Sequence, residues 1–323
     1  MTERKHRTIV VMGGSFNPPT LAHGILMKTA LDVLGSDLGF FVPVSDAYLK
    51  RKMLRTDTFM VLPPEVRVAM LETMCTDERM RVYGKEIGTV MARTVDTLTD
   101  IKNAYPDADV YFIMGDDKLK LLLHMIESDD FLDRFGVVLY SREYAQARLM
   151  EIFDSIDLVR KNMGRVVIIP QPEGMESISS TLVRERMFAG ISSEDMLSPG
   201  VWEIFRSYGP DDFPKVISRF SGDHAFLSNM FGCRLEWKGV TFGSAADAFR
   251  SADCDESSRL ETMESILRAK FTCNPDLLNR LMETGEKLLI NGNNRKETYW
   301  GIDLYSWRGE NNLGKLLMKI RRN

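Results

Sequence analysis

The chain has 323 residues, 44% of them hydrophobic and 27% charged, which is enough apolar material for more than one buried core. A formal net charge of −4 argues against a broad nucleic-acid-binding surface while leaving room for a local basic pocket. The basic N-terminus precedes only the short apolar run Ile9 to Met12, too brief for a signal-peptide core or a membrane span, so a soluble, cytoplasmic protein is expected.

In chain order, Thr8–Met12 reads as an apolar strand that runs into Gly13-Gly14. Two glycines let the main chain pass close to an anion, and the N–H groups of a following helix start favour negative charge. The same pair also reads as an ordinary turn. Past Ser15-Phe16-Asn17-Pro18-Pro19-Thr20, the residues Leu21, Ile25, Leu26, Thr29, Ala30, Val33 and Leu34 keep one helix face, with His23 near its start. Further strands are predicted at Phe40–Val44, Val110–Met114, Val137–Tyr140 and Val166–Pro170, with helical spacing at Val66, Ala69, Met70 and at Val95, Leu98, Ile101 between them.

Continuous apolar strands alternating with helices predict an α/β, Rossmann-like doubly wound parallel sheet. Ligands of such sheets bind beyond the carboxyl ends of the strands. Polar groups do follow the strands: Gly13-Gly14-Ser15, Ser45-Asp46, Gly115-Asp116-Asp117, Ser141-Arg142 and Ser179-Ser180-Thr181. The last cluster supplies N-cap oxygens and, with a charged ligand, hydroxyl donors to phosphate, and Arg184 lies one turn inside the same helix. Plain helix capping is its other reading.

The stretch Tyr208 to Pro214, with two prolines, a glycine and two acids, has no periodicity and reads as a linker. The expected organisation is a first domain at 1–209, a linker at 210–215 and a smaller, mainly helical α+β domain at 216–323. Four cysteines, Cys75, Cys233, Cys254 and Cys273, lack metal-ligand spacing and are expected as reduced thiols packed in the interior.

Four segments resemble the nicotinamide/nicotinate mononucleotide adenylyltransferases: Gly13 to His23, Pro43 to Lys52, Gly115 to Leu119, and Ile178-Ser179-Ser180-Thr181-Leu182-Val183-Arg184. The resemblance covers about residues 8 to 208 and implies transfer of AMP from ATP to nicotinamide mononucleotide (NMN) or nicotinate mononucleotide, with pyrophosphate leaving. On that reading His23, Lys52 and Arg184 are catalytic. Gly13, Gly14, Ser15, Phe16, Thr20, Asp46, Gly115, Asp117, Ile178, Ser179 and Ser180 bind the nucleotides, Asp117 through ribose hydroxyls. Mg2+ comes with ATP, and no protein-held metal is expected. A mononucleotide phosphate is already anionic near neutral pH, its second pKa being about 6, so the protein must position two anions rather than supply a base.

Two features depart from that family. Thr20 stands where many members have a first histidine, and no tryptophan precedes Trp202 to stack on the pyridine ring. Tyr83 is the nearest aromatic candidate for stacking, and a core strand residue is its other reading. The Asp46-Ala47-Tyr48 segment favours the amide or use of both mononucleotides.

The second domain is similar to the NADAR family in Phe226 to Phe231, Leu267 to Phe271, Tyr299-Trp300-Gly301 and Asn311 to Arg321. That resemblance implies an ADP-ribose or NAD-derived ligand and N-glycosidic cleavage. The family's glutamate in a Ser-Glu-His helix is matched by Ala246, within Ala245-Ala246-Asp247-Ala248-Phe249-Arg250, so a positioned acid is missing and a binding module is favoured. Asp247 and Glu297 are the candidate substitutes. The alternatives are an adenylyltransferase for another phosphorylated acceptor such as phosphopantetheine, and a non-catalytic NAD or ADP-ribose sensor. A homo-oligomer with no membrane partner is expected.

Overall fold

The structure, a computed structural model, describes residues 7–56, 59–89, 93–141, 146–170, 172–175 and 177–322. The chain forms two compact units, Met1–Leu49 with Val61–Asp212, and Lys50–Met60 with Phe213–Asn323. The sequence reading did not foresee that Lys50–Met60, far from the linker, groups with the second unit.

The first unit runs β1 (Arg7–Gly14), α1 (Leu21–Leu34), β2 (Leu38–Pro43), the first half of α2 (Asp46–Met53), α3 (Pro64–Met74), β3 (Met80–Val82), α4 (Thr94–Ala104) and β4 (Ala108–Gly115). It continues with α5 (Leu119–Asp129), α6 (Phe131–Arg134), β5 (Gly136–Ser141), α7 (Gln146–Asp154), α8 (Asp157–Lys161), β6 (Val166–Pro170), α9 (Ser180–Phe188) and α10 (Pro199–Phe205). The strands are all parallel in the order β3-β2-β1-β4-β5-β6.

That order explains the strand sequences. A parallel strand covered on both faces must be apolar along its whole length, and Ile9, Val10, Val11 and Met12 of β1 are all buried. Phe40, Val110, Val137, Leu139, Phe131 and Phe135 belong to the same core, each contributing about 1.5–3 kcal/mol on burial. Every predicted strand is present, the last with the predicted ends and the others with ends displaced by one or two residues. The three-residue β3 escaped prediction because it is too short to show a period. The strand order reverses between β1 and β4, and ligands of such sheets bind beyond the carboxyl ends at that point.

The second unit contains β7 (Val216–Ile217), β8 (Leu235–Trp237), β9 (Val240–Phe242), α11 (Ala245–Ser251), α12 (Arg259–Cys273), α13 (Pro275–Glu283), β10 (Leu288–Leu289), β11 (Gly292–Asn293), β12 (Ile302–Asp303) and α14 (Asn312–Arg322). Its strands pair only two by two, so helices build the core. α12 buries Met263, Ile266, Leu267, Lys270 and Phe271, a stripe at helical spacing, against residues that include Leu227, Leu313 and Leu317. Phe59 stacks on Trp307 with centroids 5.6 Å apart, and its N–H donates to Pro214 O at 3.0 Å, which accounts for the grouping of Lys50–Met60 with this unit.

The four cysteines are unpaired, and the structure corrects their expected burial: Cys75, Cys233 and Cys254 are half-buried and Cys273 is exposed. Burial pushes the Cys75 thiol up to about 11. Among the described residues no helix is long and apolar enough to cross a membrane.

Candidate active site

Gly13 and Gly14 end β1 in register with Val42 and Pro43 of β2, and the Val44 N–H donates to Gly14 O at 2.9 Å. A Cβ at Gly14 would lie 2.8 Å from the ring of Phe16, so the glycine makes room for its own neighbour's side chain as well as for a ligand. Phe16 adopts a left-handed backbone, φ 43°, that turns its ring inward. The buried ring meets His23 edge-on at 5.1 Å and Phe41 at 5.8 Å.

Thr20 is the N-cap of α1 and His23 stands three residues inside it. The Thr20 N–H donates to His23 Nδ1 at 3.0 Å, and Thr20 Oγ1 lies 2.8 Å from the same nitrogen. An amide N–H can only donate, so Nδ1 is an acceptor and the neutral ring carries its proton on Nε2. His23 is thereby set as a hydrogen-bond donor through Nε2. Thr20 is buried and acts on this imidazole.

The closing motif is tied to the opening one. Ser179 caps α9, its hydroxyl accepting from the Leu182 N–H at 3.1 Å, while Ile178 is buried before it. Ser180 Oγ donates to Pro18 O at 2.8 Å, and Arg184 Nη1 donates to Asn17 O at 3.0 Å. Arg184 Nη2 also donates to Thr181 Oγ1 at 3.1 Å, and burial lowers the pKa of this guanidinium from its ordinary value. Asn17 is fully buried and its side-chain oxygen accepts from the Leu62 N–H at 2.9 Å.

Arg67 of α3 was missed by the sequence reading. It is completely buried, and its Nη1 donates to Ser15 O and Val44 O, each at 3.1 Å, joining the loops that follow β1 and β2. Its Nε and Nη2 have no hydrogen-bond partner among the described residues. Burial lowers its pKa, and the charge of Asp46, in the first turn of α2, opposes that shift. A signal was present: Arg67 falls in the buried stripe Arg67, Met70, Leu71, Met74, where a charge has no place unless the backbone supplies acceptors.

Beyond β4, Asp116 is buried and Asp117 pairs with Lys118. The Asp117 carboxylate lies so close over Gly115 that a Cβ there would strike it and the Tyr140 hydroxyl. Tyr83 takes the core reading, its ring 5.4 Å from Phe40, although its buried hydroxyl has no hydrogen-bond partner among the described residues. Lys52 sits near the end of α2, within Lys50–Met60 of the second unit, and Arg142 lies outside the described residues. Among the described residues no three His, Cys, Asp or Glu side chains gather to hold an ion.

In the second unit, Ser244 caps α11, donating from Oγ to Asp247 Oδ2 at 2.7 Å and accepting from the Asp247 N–H at 3.1 Å, while Asp247 also pairs with Arg250. Glu297 Oε1 accepts from the N–H groups of Tyr299 and Trp300 at 2.9 and 2.8 Å. Both acids serve their own local backbone. Lys270 is buried and donates to Phe226 O and Ser228 O at 2.7 and 2.8 Å, and burial pushes its pKa down to about 8.

The cytidylyltransferase-like family model matches residues 11–186, more than half of the chain. The chain belongs to the cytidylyltransferase-like family. A NADAR domain model matches residues 223–323. A Shouchella clausii protein named "Probable nicotinate-nucleotide adenylyltransferase" is 27% identical over 202 residues, covering 61% of this chain and 93% of that one. A protein of the same name from Maridesulfovibrio salexigens is 29% identical over 213 residues, covering 62% and 95%. A solved Plasmodium falciparum nicotinic acid mononucleotide adenylyltransferase, complexed with APC, aligns over 63% of this chain and 96% of that chain at 18% identity and a TM-score of 0.44.

Within the cytidylyltransferase-like unit, the fold thus brings Phe16, Thr20 and His23 together and fastens Ser180 and Arg184 to the backbone just ahead of Thr20. Within the NADAR domain it keeps Asp247 and Glu297 each in its own turn.

Proposed function

We propose that the first unit transfers AMP from ATP to nicotinate mononucleotide or its amide. The observation that carries the reading is His23: its Nδ1 is occupied by Thr20, and its loop is held by Ser180 and Arg184 at the point where the strand order reverses. The names of the relatives, which specify the nicotinate form, support it.

In the reaction, an oxygen of the mononucleotide phosphate attacks the α-phosphorus of ATP in line, and the bond from that phosphorus to the pyrophosphate oxygen breaks. The nucleophile is already an anion, so no group of the protein takes a proton. His23 Nε2–H and the Gly14 and Ser15 N–H groups donate to phosphate oxygens, stabilising charge that grows on the leaving side. Arg184 and Arg67 hold the loops carrying those donors, and as cations, Arg67 buried and Arg184 half-buried, they favour anions nearby. Asp117 accepts from ribose hydroxyls. Mg2+, when bound with ATP, would supply neutralisation of the polyphosphate charge.

The test is formation of the dinucleotide and pyrophosphate from ATP and Mg2+ with each mononucleotide. Turnover with either one supports the assignment. ATP consumption with phosphopantetheine alone, or binding without any product, would sink it.

For the NADAR domain we propose ligand binding without hydrolysis, because both substitute carboxylates already accept local hydrogen bonds. Hydrolysis of ADP-ribosylated substrates by the full chain would overturn this, whether or not it survived Asp247→Asn and Glu297→Gln.

A further inference from the structure

The second unit contains two adjoining cavities of about 680 and 630 Å³. Residues of Lys50–Met60 and of the chain after Phe213 line both, so they lie inside one compact unit. Leu54, Arg55, Ser218 and Arg219 are common to the two, which makes them one groove with a pair of arginines at its waist.

The groove's charge is one-sided. Arg51 and Lys296 join the arginine pair in the first cavity, and Lys215 and Lys287 join it in the second. Among the described residues the one lining carboxylate is Asp303. Its oxygens already accept from the Ser306 hydroxyl and N–H and from the Tyr305 N–H, which holds its pKa below the ordinary value. On a chain of net charge −4 this is a local concentration of positive charge in a concave site, where field lines focus. The volumes fall in the range of about 300–1,000 Å³ usual for small-molecule sites. Tyr305, 58% exposed, supplies an aromatic face at the Arg51 end, where the guanidinium lies 5.7 Å from its ring.

We propose that this groove binds the diphosphate group of a small anion, with Arg55 and Arg219 as its principal contacts. Arginine forks match phosphate oxygens two at a time, and neighbouring lysines add charge without fixing geometry. Two sources carry the chemistry, free pyrophosphate and a nucleoside diphosphate, and Tyr305 distinguishes them by offering a face for stacking. Both products of the transfer proposed for the first unit contain this group, but nothing in the groove depends on that reaction.

The test is hydrogen exchange by mass spectrometry on the full chain, titrated separately with inorganic pyrophosphate and with ADP. Either probe is expected to protect amides in residues 213–221 and 287–306. Arg55→Glu with Arg219→Glu is expected to weaken that protection more than about tenfold, and Arg219→Lys, which keeps the charge but loses the fork, by an intermediate factor of about three to ten. Tighter binding of ADP identifies a nucleotide occupant, and equal binding identifies the free anion.

Protection confined to residues 13–23 and 178–184 would overturn the proposal, as would unchanged affinity in the double variant. So would displacement of ADP by an equimolar single-stranded oligonucleotide. Peptides from the two units report separately, so failure of AMP transfer and failure of this site remain distinguishable.

Discussion

The polar residues of the two candidate sites are used in opposite ways. In the first, Ser180, Arg184, Arg67 and Asn17 reach across the chain to backbone groups of other loops. In the second, Asp247 and Glu297 bond within a few residues of themselves. Long reach assembles a site from separate strand ends. Short reach stabilises a turn and leaves the acid no free geometry for chemistry.

The contrast can be broken most sharply at His23. His23→Ala is expected to lower kcat for dinucleotide formation by about 10²–10³, the usual loss for one positioned donor, with ATP binding retained; steady-state kinetics check it. Arg67→Met comes next. It leaves the Ser15 and Val44 carbonyls without their donor and is expected to cost about 2–4 kcal/mol in urea unfolding of the first unit, with kcat falling as well.

Lys270 sharpens the comparison from the other side. Its folded pKa, about 8, lies below its ordinary value. From about pH 8 to 10.5 the unfolded chain therefore holds a proton that the folded one has released, so stability rises with pH through that window and the burial penalty is fully present below it. The gain is up to about 3 kcal/mol, read from urea unfolding of the second unit by tryptophan fluorescence, and Lys270→Met should abolish the slope. Ser180→Ala removes one tie to Pro18 and is expected to lower kcat/KM by about tenfold, or about 1–1.5 kcal/mol. Thr20→Val has the smallest effect, about two- to fivefold in kcat, because the backbone N–H still holds Nδ1 of His23.

Much of the first unit was legible because its signals are local. Apolar runs mark strands buried on two faces, the glycine pair marks a close backbone approach, and Ser179 ahead of α9 marks an N-cap. Arg67 was hidden in a helix whose stripe looks apolar, since nothing nearby in the chain names the carbonyls it serves. Tyr83 stood open between two readings until Phe40 was found beside it. The second unit was less legible: its strands have only two or three residues, below the length at which alternation shows.

What the sequence determined by itself is therefore the alternation of strands and helices, and the residue types at the strand ends, because period and capping act over a few residues. Only the tertiary structure decided that Ser180 and Arg184 bond to Pro18 and Asn17, that a buried arginine joins two loops, and that Lys50–Met60 groups with Phe213–Asn323. Those are contacts between segments far apart in the chain. A buried polar group takes whatever partner the fold brings to it, and sequence spacing carries no record of that partner.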